Sequence, residues 1–312
     1  MTLQQIIYVL TISEAGSMNK AAESLFISQP SLTNAVKDLE KEVGISIFLR
    51  TSKGVTLTKE GEEFLMYARQ LYQQYELIHE KYIETKNIKR KFGVSTQHYS
   101  FVVKAFVDTV KQFGTLNYEF AIRETKTFDV ICDVGNFKSE IGLLYMNDFN
   151  RKVIEKMLDE NDLEFHRLIN CKAYVYIWKN HPLADRKSIS FDELKNYPCL
   201  SFEQGENGSF YFSEEILSTN VYQRTIKATD RATILNLMVG LKGYTLCSGI
   251  ICEELNGSDY IAVPFEADDN NPNSSMEIGY IIKKNSVPGQ IGEVFIKELS
   301  KYLSEQKQAS DV

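Results

Sequence analysis

The sequence predicts a multidomain protein: an all-α winged helix-turn-helix domain, one long helix, and then an α/β domain. Three observations predict this organisation. Residues 1–58 carry several short helical patterns, residues 59–88 carry one long helical pattern, and residues 89–312 alternate strand-like with helix-like segments. The length of 312 residues is enough for about two domains.

Composition places the chain among ordinary globular proteins. Its residues are 43% hydrophobic and 25% charged, which excludes extended disorder and fibrous structure. No apolar run approaches the roughly 20 residues of a membrane-spanning helix, so we expect no membrane partner. The start lacks a signal-peptide pattern, and five scattered cysteines do not form a disulfide framework; both predict a cytoplasmic location. The net charge of -7 argues against broad polyanion binding but allows a small nucleic-acid face.

Apolar residues at helical spacing predict two short helices at the start of the chain. The first helix ends at Gly16, and Ser17 is the predicted N-cap of the second. Ala21 and Ala22 on the inner face of the second helix are small, which allows the next helix to approach closely, as a helix-turn-helix requires.

The third predicted helix has one apolar face and one hydrogen-bonding face. Ser28 caps it, and Pro30 lies in its first turn, where a missing N–H costs nothing. The apolar stripe consists of Leu32, Val36, Leu39 and Val43. The polar face consists of Gln29, Thr33 and Lys37, with Asn34 beside them. Amide side chains can pair with adenine and lysine can reach guanine or phosphate, so this helix suits a major groove.

Two alternating runs follow the third helix and predict a β-hairpin. The runs cover residues 45–49 and 55–58, and a basic tip joins them. Such a hairpin would be the wing of a winged helix, with Arg50 and Lys53 on phosphates or in the minor groove.

The predicted DNA-binding residues are Ser17, Lys20, Ser28, Gln29, Pro30, Ser31, Thr33, Asn34, Lys37, Arg50 and Lys53. The alternative is a structural helical hairpin that never meets DNA. A slight excess of acidic over basic residues in 1–88 favours that alternative. The placement of lysine and arginine at helix starts and at the wing outweighs it.

Residues 26–61, FISQPSLTNAVKDLEKEVGISIFLRTSKGVTLTKEG, resemble the N-terminal domain of the LysR-type transcriptional regulators. The likeness extends over about residues 1–88. It implies sequence-specific binding to double-stranded DNA. One position departs from the pattern, because the family often carries an arginine where this chain has Asn34.

The long helix over 59–88, capped by Thr58, is the predicted dimerisation element. Its apolar residues step by 4 and 3 in a heptad pattern. The predicted seam consists of Phe64, Ala68, Leu71, Tyr75, Ile78 and Tyr82. The alternative is a helix that packs on its own domain. The resemblance favours pairing, and pairing would hold two recognition helices about 34 Å apart on a two-fold operator.

The remaining residues, 89–312, resemble the effector-binding domain of the same family. The segments Lys-Asn-His-Pro-Leu-Ala at 179–184 and Asn-Leu-Met-Val-Gly-Leu-Lys-Gly-Tyr-Thr-Leu at 236–246 carry the likeness. It implies a two-lobed α/β domain similar to periplasmic binding proteins. By analogy, lobe one comprises 90–163 and 268–312, and lobe two comprises 164–267.

Loops after predicted strands are the expected effector site, since open α/β sheets bind ligands at the carboxyl ends of their strands. The predicted effector-binding residues are Thr96, Gln97, His98, Ser201, Phe202, Thr229, Asp230 and Ser248. Hydroxyls, an amide and helix N-termini would suit a small carboxylate or amino-acid-related metabolite. The alternative for each residue is a helix or loop cap.

Nothing in the sequence predicts catalysis, a metal or another cofactor. The four histidines lack metal-ligand spacing, and no nucleophile elbow or phosphate loop is visible. The cysteines lie mostly in apolar surroundings, where inert thiols are usual. Cys247 and Cys252 are close enough in sequence to keep a redox switch open.

The sequence therefore predicts a cytoplasmic, effector-responsive DNA-binding regulator rather than an enzyme. Its expected partners are double-stranded DNA, further copies of itself in a homodimer and homotetramer, and RNA polymerase if it activates. A redox-responsive regulator of the same family and a solute-binding module without transcriptional output are the alternatives.

Overall fold

The computed structural model describes residues 1–51, 54–82, 89–114, 117–205, 209–266, 271 and 273–310. The chain forms two compact units, Met1–Ile88 and Lys89–Val312. Among the helices in the described residues, none combines the length and the apolar character needed to cross a membrane.

The smaller unit is the predicted winged helix-turn-helix with its long helix. Its elements are α1 (Leu3–Ala15), α2 (Met18–Ser24), α3 (Gln29–Val43), β1 (Phe48–Thr51), β2 (Gly54–Leu57) and α4 (Lys59–Tyr82). The two strands pair antiparallel from Phe48 opposite Leu57 to Thr51 opposite Gly54. The apolar stripe of α3 packs with α1 and α2 in one core around Val9, Ile12 and Ala21. The small Ala21 and Ala22 are buried there, as the helix-turn-helix prediction requires.

Local capping sets the ends of the first three helices. Gly16 and Gly44 end α1 and α3 in the left-handed conformation, with φ of 61° and 74°. Ser28 caps α3 as predicted, because its hydroxyl accepts a hydrogen bond from the N–H of Ser31 at 3.2 Å. Ser17 occupies the N-cap position of α2, but its hydroxyl makes no capping bond there, so the side-chain part of that prediction is wrong.

The start of α4 is fixed against the hairpin. The hydroxyl of Thr58 accepts from the N–H of Gly61 at 2.8 Å and donates to the carbonyl of Ser46. Gly61 is buried, and a methyl group on its Cα would collide with the carbonyl oxygen of Ile47. Glycine is therefore needed here for the close approach of helix and strand.

The larger unit alternates strands and helices. Its elements are β3 (Arg90–Thr96), α5 (Ser100–Gln112), β4 (Tyr118–Glu124), α6 (Thr127–Gly135), β5 (Ile141–Met146), α7 (Arg151–Glu160), β6 (Leu163–Lys172), β7 (Tyr174–Trp178), α8 (Phe191–Leu194), β8 (Cys199–Phe202), β9 (Thr225–Ala228), α9 (Arg231–Leu241), β10 (Thr245–Cys247), α10 (Glu253–Asn256), β11 (Tyr260–Pro264), β12 (Ser275–Lys283) and α11 (Gln290–Ser310).

Lobe one is a mixed sheet covered by helices on both faces. Its strand order is β4-β3-β5-β12-β6, with β12 antiparallel to both of its neighbours. Alternate residues of β5 face opposite cores. Leu143 and Tyr145 join the core that contains α5 and α11, while Leu144 and Met146 join the core that contains α6 and α7. This two-sided burial explains why β5 is an uninterrupted apolar run.

Lobe two contains the sheet β10-β7-β11 and the parallel pair β8-β9, which a bridge between Cys199 and Tyr244 joins to the segment before β10. The two motifs that carry the family likeness meet in this lobe. The Nε2 of the buried His181 lies 3.0 Å from the carbonyl oxygen of Lys242, and its Nδ1 accepts from the N–H of Leu183 at 3.1 Å. The imidazole therefore fixes both loops.

The lobe boundary differs from the expected one. Residues 164–172 were assigned to lobe two, but β6 pairs with β12 along its full length, from Leu163 opposite Lys283 to Lys172 opposite Ser275. Those residues belong to the lobe-one sheet, and the first crossover follows Lys172. The helix α7 was also not predicted.

We expect Gly61→Ala to destabilise the smaller unit by about 1–3 kcal/mol, because overpacking against the backbone of Ile47 must move the helix or the hairpin. Gly240→Ala is the matched control, since Gly240 is an exposed helical glycine with open space around its Cα. In the control, the free energy of unfolding should rise by about 0.5–1 kcal/mol. Urea unfolding measures both; equal effects of the two substitutions would refute the close contact.

Candidate functional site

The outer face of α3 presents polar side chains to solvent. Pro30, Ser31, Asn34 and Lys37 are exposed on it. Lys20 on α2 and Ser28 at the cap are also exposed, while Ser17 is half-buried. An exposed amide and an exposed cation one helical turn apart can reach a base edge and a phosphate.

Thr33 does not belong to this exposed face. Its side chain is buried, and its hydroxyl accepts from the Nε2 of the half-buried Gln29 at 2.8 Å. The spacing of four residues placed Thr33 on one helix face with Lys37, but Thr33 is buried within the smaller unit. Of the predicted base-contacting residues, Asn34 is exposed and Thr33 is not. The side chain of Arg50 and the whole of Lys53 lie outside the described residues.

The predicted dimer seam on α4 divides into two parts. Ala68 is buried and Phe64 packs against the core of its own unit, so these two residues are not available to a second chain. Leu71 and Ile78 are 43% and 59% exposed, and Tyr75 is also exposed. With the exposed Tyr67 they form one apolar stripe, defined here as the α4 stripe: Tyr67, Leu71, Tyr75 and Ile78. The side chain of Tyr82 is outside the described residues.

A cavity of about 80 Å³ lies between the two lobes of the larger unit. Lobe one contributes residues 98–100, which follow β3, and one residue of β12. Lobe two contributes residues of β7, β8, α9, β10 and α10, the segment after β10, and Glu214 and Glu215. Its polar lining consists of His98, Ser100, Glu214, Glu215, Arg231, Thr245, Ser248 and Asn256. The rest is mainly apolar, including Tyr176, Phe202, Ile234, Leu246 and Met276.

Three of the eight predicted effector residues line this cavity: His98, Phe202 and Ser248. Thr96 and Gln97 do not, because both are fully buried in lobe one. The hydroxyl of Thr96 donates to the carbonyl of Gln97, and the amide of Gln97 donates to Thr127 and accepts from Tyr99.

The other predicted residues do not line the cavity. Asp230 caps α9, accepting from the N–H of Thr233 at 2.8 Å and from its hydroxyl at 2.7 Å. Thr229 is exposed and Ser201 is half-buried, and neither lines the cavity. The alternative of a cap is therefore correct for Asp230.

The carboxylate of Glu214 meets lobe one at the start of α5. One oxygen lies 2.9 Å from the backbone N of His98 and 2.8 Å from its ring Nδ1. The other oxygen accepts from the amide of Gln204 at 2.9 Å. The His98 ring stacks on Phe202, with ring centres 3.7 Å apart.

Glu215 is the second buried carboxyl group of the cavity. It accepts a hydrogen bond from the N–H of Phe202 at 2.6 Å. Burial, followed by the negative charge of Glu214, raises the pKa of Glu215 to about 8. This group therefore carries a proton at neutral pH.

Further polar contacts join the lobes around the cavity. The hydroxyl of Thr127 donates to the carbonyl of Phe212 at 2.8 Å, and its N–H donates to Gln204 at 3.2 Å. Arg231 at the start of α9 forms an ion pair with Glu124 at the end of β4. The lobes are thus held together by directional bonds as well as by packing.

All five cysteines are free thiols. Burial raises the pKa of Cys171, Cys199 and Cys247 to about 12 and also raises the pKa of Cys132. Thiolates are the reactive form, so burial disfavours reaction at these four thiols.

Glu214, Glu215 and Arg231 line the cavity but were not among the residues predicted from the sequence. A usable signal was present: the pair of glutamates lies between the apolar groups Phe210–Phe212 and Ile216-Leu217. Acidic residues within an apolar run are unusual unless they are paired or functional.

Two family profiles match the chain. The profile for the bacterial regulatory helix-turn-helix protein of the lysR family covers residues 3–62, and the profile for the LysR substrate binding domain covers residues 117–304. The chain belongs to the LysR family. It is a LysR-type transcriptional regulator with an effector-binding domain.

Relatives and solved structures agree with this family. The transcriptional regulator CysL of Bacillus subtilis is 28% identical over 218 residues, which is 68% of each chain. A full-length OxyR variant from Pseudomonas aeruginosa is 19% identical, with a TM-score of 0.66 over 97% of this chain and 94% of that one. Full-length CbnR, solved with its target DNA, is 15% identical, with a TM-score of 0.56 over 97% and 100%. These structural likenesses establish a shared fold.

The raised pKa of Glu215 gives this LysR-family protein a specific pH dependence. Between its ordinary value of 4.5 and about 8, the folded chain holds a proton that the unfolded chain has released. Stability should therefore fall as pH rises through this window. Glu215→Gln cannot ionise, so it should reduce this pH-dependent loss in the free energy of unfolding by about 1–3 kcal/mol.

Unfolding midpoints at a series of pH values between about 5 and 8 measure this dependence. Glu203→Gln is the matched control, because Glu203 is exposed in the same connection. A wild-type profile that Glu215→Gln leaves unchanged would contradict the assignment.

Proposed function

We propose that this LysR-family chain binds a two-fold DNA operator as a homodimer, and as a homotetramer on longer sites, under the control of a small molecule bound between its lobes. The observation that carries the proposal is the cavity that both lobes line in a chain that also holds a winged helix-turn-helix. The lining residues supply binding groups rather than an assembled nucleophile and base, so the proposal is regulation by binding, not catalysis. The proposed location is the cytoplasm, and RNA polymerase would be a partner of an activator.

The DNA contact rests on the exposed face of α3. Asn34 offers donor and acceptor atoms together, which pair well with adenine in the major groove. Lys37 adds a cation one turn later on the same helix. Phosphate contacts position a protein while base contacts specify the site, so the two side chains should have separable roles.

The effector contact rests on the cavity rather than on the predicted loop residues. A carboxylate was expected because the predicted loops offered hydroxyls, an amide and helix N-termini, but Thr96 and Gln97 are buried and do not line the cavity. An amino-acid-related metabolite remains compatible with a site that combines apolar walls with a few polar groups. An effector that binds one arrangement of the lobes better than another shifts the population between them.

Asn34→Ala should weaken operator binding by about 1–3 kcal/mol and leave non-specific DNA binding nearly unchanged. Lys37→Ala should instead weaken binding to all DNA and lower the salt slope by about one unit. Fluorescence anisotropy with the chain's own upstream promoter DNA and with a scrambled duplex, over a range of salt, measures both.

Lys156→Ala is the control for lost charge, since Lys156 is an exposed lysine on α7 of the other unit. It should change neither affinity nor salt slope. If Asn34→Ala and Lys37→Ala behave alike on both duplexes, the groove assignment is wrong; if no variant affects the binding of promoter DNA, α3 is not the contact.

Leu71→Glu should disrupt the homodimer, because it would place like charges opposite each other in a buried α4 stripe. We expect the dimer dissociation constant to rise by about a hundredfold or more. Light scattering over a dilution series measures it. Glu76→Gln also changes the charge by one unit, at an exposed position of α4 that faces away from the α4 stripe, and should leave the dimer intact. An unchanged oligomer in Leu71→Glu would remove the α4 stripe from the interface.

A further inference from the structure

The position at the start of α5 already holds an anion that the chain itself supplies. The carboxylate of Glu214 accepts from the backbone N–H of His98 and lies 2.8 Å from its ring Nδ1. The amide of Gln204 donates to the same carboxylate at 2.9 Å. The side chains of His98 and Glu214 are only 6% and 4% exposed. Glu214 is therefore a fixed element of the cavity wall.

An anionic effector would meet an unfavourable field in this cavity. The backbone donor at the strand end, the group that anions use in comparable sites, is taken by Glu214. Glu215 lines the same cavity, and ionising it as well would place two carboxylates side by side. Arg231 also lines the cavity, where it forms an ion pair with Glu124, and Glu214 likewise lies 2.8 Å from the ring Nδ1 of His98.

A cationic group would meet a favourable field in the same cavity. It would donate a charge-assisted hydrogen bond to a carboxylate that is already desolvated and oriented. The aromatic rings of Tyr176 and Phe202 line the same space, and aromatic rings attract cations. Ile234, Leu246 and Met276 would surround an apolar body.

We propose that the cavity between the lobes binds a small organic cation, an ammonium group on an apolar body, and that Glu214 is the residue that selects the charge. This inference rests on the proposed function, because it names the ligand class of the proposed effector cavity. Glu214 acts both as the bond to lobe one and as the partner of the ligand's charged nitrogen.

Three probes of one size test the charge preference on the full-length wild-type chain: butylammonium, butanoate and 1-butanol. Titration followed through the methyl resonance of Met276, which lines the cavity, reports binding at this location. We expect butylammonium to bind more tightly than butanol, and butanoate to bind most weakly. This comparison needs no variant, so it stands even if a substitution impairs folding.

Glu214→Gln then tests the role of the residue. It keeps the shape and one acceptor oxygen but removes the charge, so butylammonium affinity should fall about tenfold or more while butanol affinity changes little. Glu203→Gln is the matched control, since it removes one exposed charge from the same connection and should leave all three affinities unchanged.

The outcomes separate this inference from the proposed function. If butanoate or butanol binds at Met276 as tightly as butylammonium does, or if Glu214→Gln leaves butylammonium affinity intact, the charge preference is refuted while the cavity remains a ligand site. If none of the three probes perturbs Met276 at millimolar concentration, both the cation inference and the effector cavity fail. Operator binding measured by fluorescence anisotropy would be unaffected by that failure.

Discussion

The buried amide of Gln97 is the interaction on which the larger unit most depends. Its nitrogen donates to Thr127 at 2.6 Å, and its oxygen accepts from the hydroxyl of Tyr99 at 2.7 Å and from the N–H of Tyr145 at 3.1 Å. One side chain therefore fixes the ends of β3 and β5 and the starts of α5 and α6. Because an unpaired amide in this dry interior would be costly, the loop after β3 has one conformation. That conformation presents His98 and Thr127 to lobe two.

Local sequence signals predicted the smaller unit well, and the reason is physical. The end of α3 at Gly44, the cap at Ser28 and the apolar stripe are all encoded within a few residues of where they act. The α4 stripe was harder to predict. Helical spacing shows that Ala68 and Leu71 share a face, but it does not show that Ala68 meets its own core while Leu71 meets solvent. That distinction depends on where the hairpin lies, which is long-range information.

The cavity was predicted only in outline for the same reason. The alternation of strands and helices, together with the family likeness, indicated that loops after strands would meet between the lobes. His98, Phe202 and Ser248 do line the cavity there. Side-chain direction decided the rest, because Thr96 and Gln97 point into lobe one. Glu214 comes from an irregular segment 116 residues after His98 in the chain, and no local pattern links the two. Contacts of this range are set by the assembled fold.

The place of β12 in the lobe-one sheet constrains the order of assembly during synthesis. This strand lies between β5 and β6, although it follows β6 by about a hundred residues of chain. Lobe two is continuous from β7 to β11. While the ribosome synthesises it, the edges of β5 and β6 that will pair with β12 remain unpaired. At about 5–20 residues per second that interval lasts several seconds, during which exposed strand edges invite pairing with other chains. Lobe two can complete its own sheet first, and β12, the last strand synthesised, then completes the lobe-one sheet.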